Sequence, residues 1–462
     1  MKINFLSLLV FLFSVIACKP TFETPDANAG SADFSSYVAI GSSYTAGFAD
    51  GALSKEGQAA SFPVLLSARF AEVGGGNFNV PYLIGDKGVY PDPLASNTDH
   101  TLPRLALSVT LNCKGEEMLL PLRIADEGDD DANFHNMNNR VYTPGSIFHH
   151  FGIPSMKSYQ AVAPGFAYDA FFEIDQFNPF YWRFASGTNS TEIIGASVIK
   201  DVLNAHPTFF TLELGMSDVI NYAIDGGTGR QDNTYKPDLT SPSRFETGIK
   251  GVLDSLKNTD AKGLMTNIPD VLNFPYFRKI EYNALDIDAV KAQELTNQYA
   301  AQGLTFSEGK NAFVINDKGT IRQLKSTEFI TLKTPVDSLK CADWGASVPL
   351  EDLYVLTEEE IALIDQYSEI YNNLLQQEAD ARGIMMVDLK EFFSKLNAGI
   401  TVSGIDLSTE FVKGGFFSLD GLHPNPRGQA MIANEFIKAI NKEFGATLAL
   451  YDISQFEGAV FP

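Results

Sequence analysis

Two short segments near opposite ends of this 462-residue chain constrain its fold more than any other feature: Gly41-Ser42-Ser43-Tyr44-Thr45-Ala46-Gly47 and Asp420-Gly421-Leu422-His423-Pro424-Asn425. The apolar run Tyr37-Val38-Ala39-Ile40 before the first reads as a buried parallel strand, and Gly41 permits the tight turn that aims a hydroxyl out of its carboxyl end. Open α/β folds bind ligands at that end of the sheet. Asp420 and His423 precede a helix and can bring a carboxylate and an imidazole to one loop. A serine hydroxyl becomes a nucleophile when a base takes its proton and a carboxylate holds that base in the right tautomer. Ser43, His423 and Asp420 are therefore the candidate catalytic set. For Ser43 and His423 to meet, one domain must span nearly the whole chain, and extra residues are insertions into it.

Taken alone, Ser43 is an ordinary residue for a turn after a strand, and Asp-Gly and His-Pro-Asn are common loop chemistry. The ordered set is more specific. It resembles the SGNH hydrolases, or GDSL lipase/acylhydrolase family, whose nucleophile sits in an early Gly-Asp-Ser-Leu box and whose late Asp-x-x-His supplies the other two residues. Phe151-Gly152-Ile153-Pro154-Ser155 resembles the second block, whose Gly donates a backbone N–H to the oxyanion. Gly215-Met216-Ser217-Asp218 resembles the third, usually Gly-x-Asn-Asp. The first box here reads Gly-Ser-Ser-Tyr, and Ser217 stands where the family has an Asn whose side-chain amide donates to the oxyanion. The Gly-x-Ser-x-Gly elbow of the α/β-hydrolases is absent around Ser43.

The resemblance implies an α/β protein: a three-layer α/β/α sandwich, flavodoxin-like, with a central parallel sheet and β-rich insertions. It implies a carboxyl-ester hydrolase (esterase, lipase or acylhydrolase) that works through an acyl-enzyme on an acylated carbohydrate or lipid. The oxyanion hole would comprise the N–H groups of Ser43 and Gly152 with the hydroxyl of Ser217, and no metal or organic cofactor is required. The alternative is a non-catalytic or weakly active surface lipoprotein that binds glycans or lipids on the same scaffold, which the Ser at 217 favours.

At the N-terminus Lys2 precedes an apolar stretch from Phe5 to Ala17, too short for a stable transmembrane span, that ends in Val15-Ile16-Ala17-Cys18. This resembles a bacterial lipoprotein signal, cleaved before Cys18 with lipid attached to its thiol; the plainer reading is a secretory signal with a chance Cys. Residues 1–17 are thus expected to be signal, 18–36 a flexible tether rich in Pro, Thr, Ala, Asp, Ser and Gly, and 37–462 the folded domain, held at the cell envelope. The formal charge of −23 becomes one unit more negative once Lys2 is lost with the signal. Nucleic acid is excluded as a partner by such a surface, and membrane attachment would come from the lipid, because no basic patch is available for anionic headgroups. Of the three cysteines, Cys113 and Cys341 remain after Cys18 is assigned, to be paired in an exported protein or left as buried thiols.

Several clusters read more plainly than they tempt. Asp126-Glu127-Gly128-Asp129-Asp130-Asp131 lacks the spaced ligands of an EF-hand and reads as a solvated acidic loop. His149-His150 reads as structural, and no Cys/His spacing fits zinc. The run Tyr168, Phe171, Phe172, Phe177, Phe180, Tyr181, Trp182 and Phe184 packs a core or lines an acyl or sugar site.

Elsewhere strands and helices alternate, which calls for a parallel sheet covered on both faces. Helices are expected near 61–72, 192–205, 244–258 and 427–444, and strands at Phe209 to Leu214, Leu264 to Thr266 and Ile384 to Leu389. The clearest helix begins at Thr357 with a capping box completed by Glu360, and Gly383 ends it. Two stretches break the rhythm and read as insertions: about 75–145, and about 303–350, where Asn311 to Ile315 and Thr320 to Arg322 flank a turn at Asn316 to Gly319 in a β-hairpin.

Overall fold

The computed structural model describes residues 26–85, 87–91, 101–124, 140–168, 177–231 and 236–462. The expected signal, Cys18, the acidic run 126–131, Phe171 and Phe172 lie outside the described residues. Strand β1 (Tyr37–Gly41) leads into the one-turn helix α1 (Ser43–Ala46), followed by α2 (Phe62–Ala71). A hairpin of β2 (Leu105–Leu111) and β3 (Glu117–Arg123) precedes β4 (His150–Gly152). Next come α3 (Val198–Asn204), β5 (Phe209–Glu213), α4 (Met216–Ile224), α5 (Pro242–Lys257) and β6 (Lys262–Thr266). A second hairpin, β7 (Val314–Asp317) with β8 (Thr320–Gln323), leads through α6 (Val336–Cys341) to α7 (Glu358–Arg382), β9 (Met385–Val387) and α8 (Pro426–Phe444).

The central sheet runs β4-β1-β5-β6-β9 with every pair parallel, as the alternating pattern requires. Both faces are covered, so β1 and β5 are buried along their whole length. In one helical layer Phe62 of α2 stacks on Phe436 of α8 at 4.9 Å, and in the other Phe245 of α5 stacks on Tyr371 of α7 at 4.1 Å. The result is a three-layer α/β/α sandwich of flavodoxin-like strand order. In this order the chain crosses to β4 on one side of β1 and returns to β5 on the other. The crevice at their carboxyl ends is the topological switch point, and Ser43 emerges there.

Local signals formed what their chemistry specifies. Thr357 and Glu360 close the capping box at the start of α7 (Thr357 N–H and hydroxyl to Glu360 Oε2, 2.8 and 2.7 Å), and Gly383 ends the helix at φ 64°. Lys318 and Gly319 both take positive φ in the two-residue turn of the β7–β8 hairpin. The helix expected over 192–205 instead divides into Ser190–Gly195 and α3, because Ala196 and Ser197 take extended backbone between them. The expected strand Ile384 to Leu389 shortens to β9, since the Asp388 carboxylate caps a helix starting at Leu389 by accepting the Glu391 N–H.

Residues 28–36, expected as tether, are packed on the domain. The Ser31 N–H donates to the Phe444 carbonyl at 2.8 Å, and Phe34 is buried, stacking on Phe70 at 3.9 Å. One large aromatic side chain with a ready site anchors a segment whose composition otherwise suggests flexibility. A second hydrophobic cluster, with Leu285, Leu295, Phe313, Ile315, Leu324 and Leu350, begins ahead of the stretch marked at 303. Cys113, in the turn of the β2–β3 hairpin, forms a disulfide with Cys341 at the end of α6 (Cα–Cα 6.0 Å), so the two interrupting stretches are covalently joined.

Candidate active site

The nucleophile turn is built at the end of β1, where Gly41 is in register with Gly152 of β4 and Glu213 of β5. A Cβ at Gly41 would lie 1.9 Å from Thr45 Oγ1, so only glycine allows α1 to fold back this closely. Ser43 is the first residue of α1, and its hydroxyl accepts the backbone N–H of Ser155 at 3.1 Å. Around it lies a contact that sequence reasoning missed. The Glu213 carboxylate accepts from Ser42 N–H (3.0 Å), Ser42 Oγ (3.1 Å), Thr45 N–H (3.3 Å) and Thr45 Oγ1 (3.0 Å). Glu213 is fully enclosed, and burial raises its carboxyl while these donors pull it down. The available signal was a single acid in the buried strand Phe209-Phe210-Thr211-Leu212-Glu213-Leu214, which is otherwise apolar but for Thr211.

Asp420 and His423 meet on the loop before α8, with Nδ1 of His423 2.9 Å from Asp420 Oδ2. Burial alone would raise the Asp420 carboxyl. The His423 charge and hydrogen bond, with the N–H groups of His423 and Leu422, outweigh it and hold the group at about 2. Gly51 N–H (2.9 Å) and Ser418 Oγ (3.0 Å) are further donors to it. An ionised carboxylate only accepts, so Nδ1 of His423 carries the proton and Nε2 is left as a base. The His423 ring lies against Phe48, with centroids 4.7 Å apart.

The residues after Ser43 wrap this loop and fix the two halves of the site together. Tyr44 donates its hydroxyl to the Leu422 carbonyl at 2.8 Å. Asp50, at φ 53°, donates its N–H to Ser418 Oγ and accepts the Leu419 N–H on Oδ1, each at 2.9 Å. Burial pushes its carboxyl up to about 6. Ser43 and His423 themselves share no hydrogen bond, and the Ser43 hydroxyl accepts the N–H of Ser155.

The second block departs from expectation. Gly152 N–H is directed at Nδ1 of His150 (3.4 Å), and the donor that reaches Ser43 belongs to Ser155, three residues on and at φ 62°. Gly152 serves packing, because a Cβ there would lie 2.3 Å from the Ala46 nitrogen. Ser217 lies in the first turn of α4, buried at the carboxyl end of β5, and its hydroxyl has no hydrogen-bond partner among the described residues. Its neighbour Asp218 accepts from the N–H (2.8 Å) and hydroxyl (2.9 Å) of Ser158, which holds the loop carrying Ser155. His149 and His150 are structural: His149 Nδ1 accepts the Asn79 N–H at 3.2 Å and His150 Nε2 meets the Ser61 hydroxyl at 3.2 Å.

The family model for GDSL-like Lipase/Acylhydrolase matches residues 145–436. The chain belongs to the GDSL-like lipase/acylhydrolase family. Membership supports a general acylhydrolase or esterase activity. The matched span takes in Gly152 to Ser155, Gly215 to Asp218 and Asp420 to His423, and it starts after Ser43. No curated protein and no solved structure matches the chain. In this GDSL-family chain a cleft of ≈ 1310 Å³ opens beside Asp420 and Gly51. Leu120 and Leu122 of β3 form part of one wall, and Ile280, Leu285 and Val336 form part of another. The Cys113–Cys341 disulfide joins these walls. Of the aromatic run, Phe180, Tyr181 and Phe184 are core residues, and Phe180 reaches Phe48 beside His423.

Proposed function

We propose that this GDSL-family protein is a carboxyl-ester hydrolase in which Ser43 is the nucleophile, His423 the general base and Asp420 the residue that orients His423. The observation that carries this reading is the Asp420–His423 hydrogen bond of 2.9 Å, on a loop tied to the Ser43 helix by Tyr44. Ser43 Oγ would attack the ester carbonyl as His423 Nε2 takes its proton, and Asp420 would stabilise the imidazolium. The developing oxyanion would be held by the N–H groups of Ser43 and Ser155, the latter in the role expected of Gly152, with the Ser217 hydroxyl as a third donor. Collapse expels the alcohol with the proton from His423, and water activated by the same imidazole releases the acid. The Ser43–His423 hydrogen bond would form as substrate binds, when catalytic contacts that are long in the free enzyme tighten.

The protein would act outside the cytoplasm, anchored by lipid on Cys18. The apolar run ending at Ala17-Cys18 and the Cys113–Cys341 disulfide support an exported protein. Substrates would be esters of carbohydrate or lipid. A second reading, a non-catalytic binding protein on this scaffold, is favoured by the missing Ser43–His423 hydrogen bond. Labelling purified protein with a fluorophosphonate probe, alongside hydrolysis of p-nitrophenyl esters of increasing chain length, decides between them. Ser43→Ala and His423→Ala should each abolish nearly all turnover while retaining the fold. Equal turnover by wild type and Ser43→Ala refutes the assignment, and Cys18→Ala should release the protein from membranes.

A further inference from the structure

The helix that presents Ser43 is a single turn, and such a turn is not stable by itself. Its N-cap residue, Ser42, does not cap it: the Ser42 side chain makes no bond to the following N–H groups. The cap instead comes from another strand. Glu213, at the end of β5 and in register with Gly41, accepts the Thr45 N–H that an N-cap side chain would take, and also both Ser42 donors and the Thr45 hydroxyl.

We infer that Glu213 is a positioning residue for the nucleophile: a carboxylate supplied from β5 that caps α1 and sets the direction of Ser43 Oγ and of the Ser43 N–H. It touches no reacting atom. The arrangement explains a buried acid with no cation partner among the described residues, held by donors from the turn it orients. Acceptor geometry is what matters. Oε2 takes the Ser42 N–H, Thr45 N–H and Thr45 hydroxyl and shares the Ser42 hydroxyl (3.3 Å) with Oε1 (3.1 Å), and that hydroxyl can accept as readily as donate. An amide with its oxygen in the Oε2 place and its nitrogen facing Ser42 Oγ satisfies the same groups.

The inference rests on Ser43 being the nucleophile, and its test separates the two. The rate of Ser43 labelling by a fluorophosphonate and the kcat and KM for a p-nitrophenyl ester are measured for wild type, Glu213→Gln, Glu213→Leu and the double variant Ser42→Asp/Glu213→Leu. Glu213→Gln should stay within roughly threefold of wild type, because its hydrogen bonds persist. Glu213→Leu should slow labelling and kcat by roughly tenfold to a hundredfold with KM little changed, the cost of misplacing a reacting group. Adding Ser42→Asp should recover most of that loss, since an Asp at the N-cap accepts the Thr45 N–H itself. A mere core-filling role would not be rescued this way. If Glu213→Leu does not fold, Glu213→Asp, whose carboxylate falls one methylene short, carries the test with the same expected loss. Labelling of the Leu or Asp variant at the wild-type rate overturns the inference while leaving the Ser43 assignment intact, as does failure of Ser42→Asp to improve on Glu213→Leu. A wild type that takes no label overturns both.

Discussion

Replacing Asp50 with Asn should stabilise the protein at neutral pH and remove part of its pH dependence. Burial pushes the Asp50 carboxyl from its ordinary 3.8 to about 6; the Leu419 N–H opposes the rise, nearby Asp420 adds to it, and Arg104 and His423 offset some of it. A carboxyl raised in the folded state holds its proton more tightly there than in the unfolded chain. Its contribution therefore favours the fold below about pH 4, weakens as pH rises towards 6, and is level above that. At 1.36 kcal/mol per unit, the rise corresponds to about 3 kcal/mol. Asn keeps an oxygen for the Leu419 N–H and tolerates the φ of 53° at this position, but it has no proton to lose. The variant should exceed wild type by about 2 to 3 kcal/mol at pH 8, with the difference shrinking towards zero at pH 4. Urea unfolding at half-unit steps from pH 4 to 8 reads this directly. Glu213 and Asp218, also raised by burial, occur in both proteins and cancel in the difference. Asp420, held at about 2, has the opposite sign: its stabilisation is present above 3.8 and is lost only as pH falls towards 2, outside the window. An Asn variant no more stable than wild type at pH 8, or a difference that persists unchanged at pH 4, refutes the reasoning.

Asp420→Asn should lower kcat on p-nitrophenyl esters by about 10³ to 10⁴, because an amide nitrogen cannot accept from His423 Nδ1–H; a loss under tenfold would remove Asp420 from the triad. Ser217→Ala should cost less than about tenfold in kcat, roughly 1.4 kcal/mol, since the hydroxyl has no partner among the described residues that holds it in place. A hundredfold drop at unchanged stability would mark it as a full oxyanion donor. Ser155→Gly should raise stability by about 1 kcal/mol in thermal unfolding while Ser43 labelling persists, because the N–H is kept and the positive φ of Ser155 no longer carries a Cβ. Cys113→Ser should lower unfolding stability by about 2 to 4 kcal/mol and make it insensitive to reductant, and an unchanged urea midpoint would contradict the pairing with Cys341.

How far the site could be read from the sequence follows the distance over which each contact acts. Asp420 and His423 pair within one turn of chain, and Thr357 with Glu360 likewise, so residue type and spacing suffice to announce them. Strand β1 was legible because a strand buried on both faces must be apolar throughout, and Gly41 because the turn leaves no room for a Cβ. A glycine in a loop block suggests a donor from sequence, and what the structure adds at Gly152 is close packing against α1 that leaves no room for a Cβ. The N–H that reaches the Ser43 hydroxyl is that of Ser155, a non-glycine residue at positive φ that no propensity would single out. Phe34 likewise looked like part of a tether until Phe70 offered it a stacking partner.

By itself, then, the sequence determined the strand–turn–helix that carries Ser43, the loop that carries Asp420 and His423, and the alternation that demands a parallel sheet, since each is settled by neighbours in the chain or by a periodic apolar pattern. Only the tertiary structure decided that Glu213 caps the Ser43 helix, that Ser155 faces the hydroxyl, that Tyr44 binds the Leu422 carbonyl and that Cys113 meets Cys341. These partners are 171, 112, 378 and 228 residues apart. Which side chains meet over such separations depends on strand order and register, and the order β4-β1-β5 is what brings the ends of three strands to one crevice.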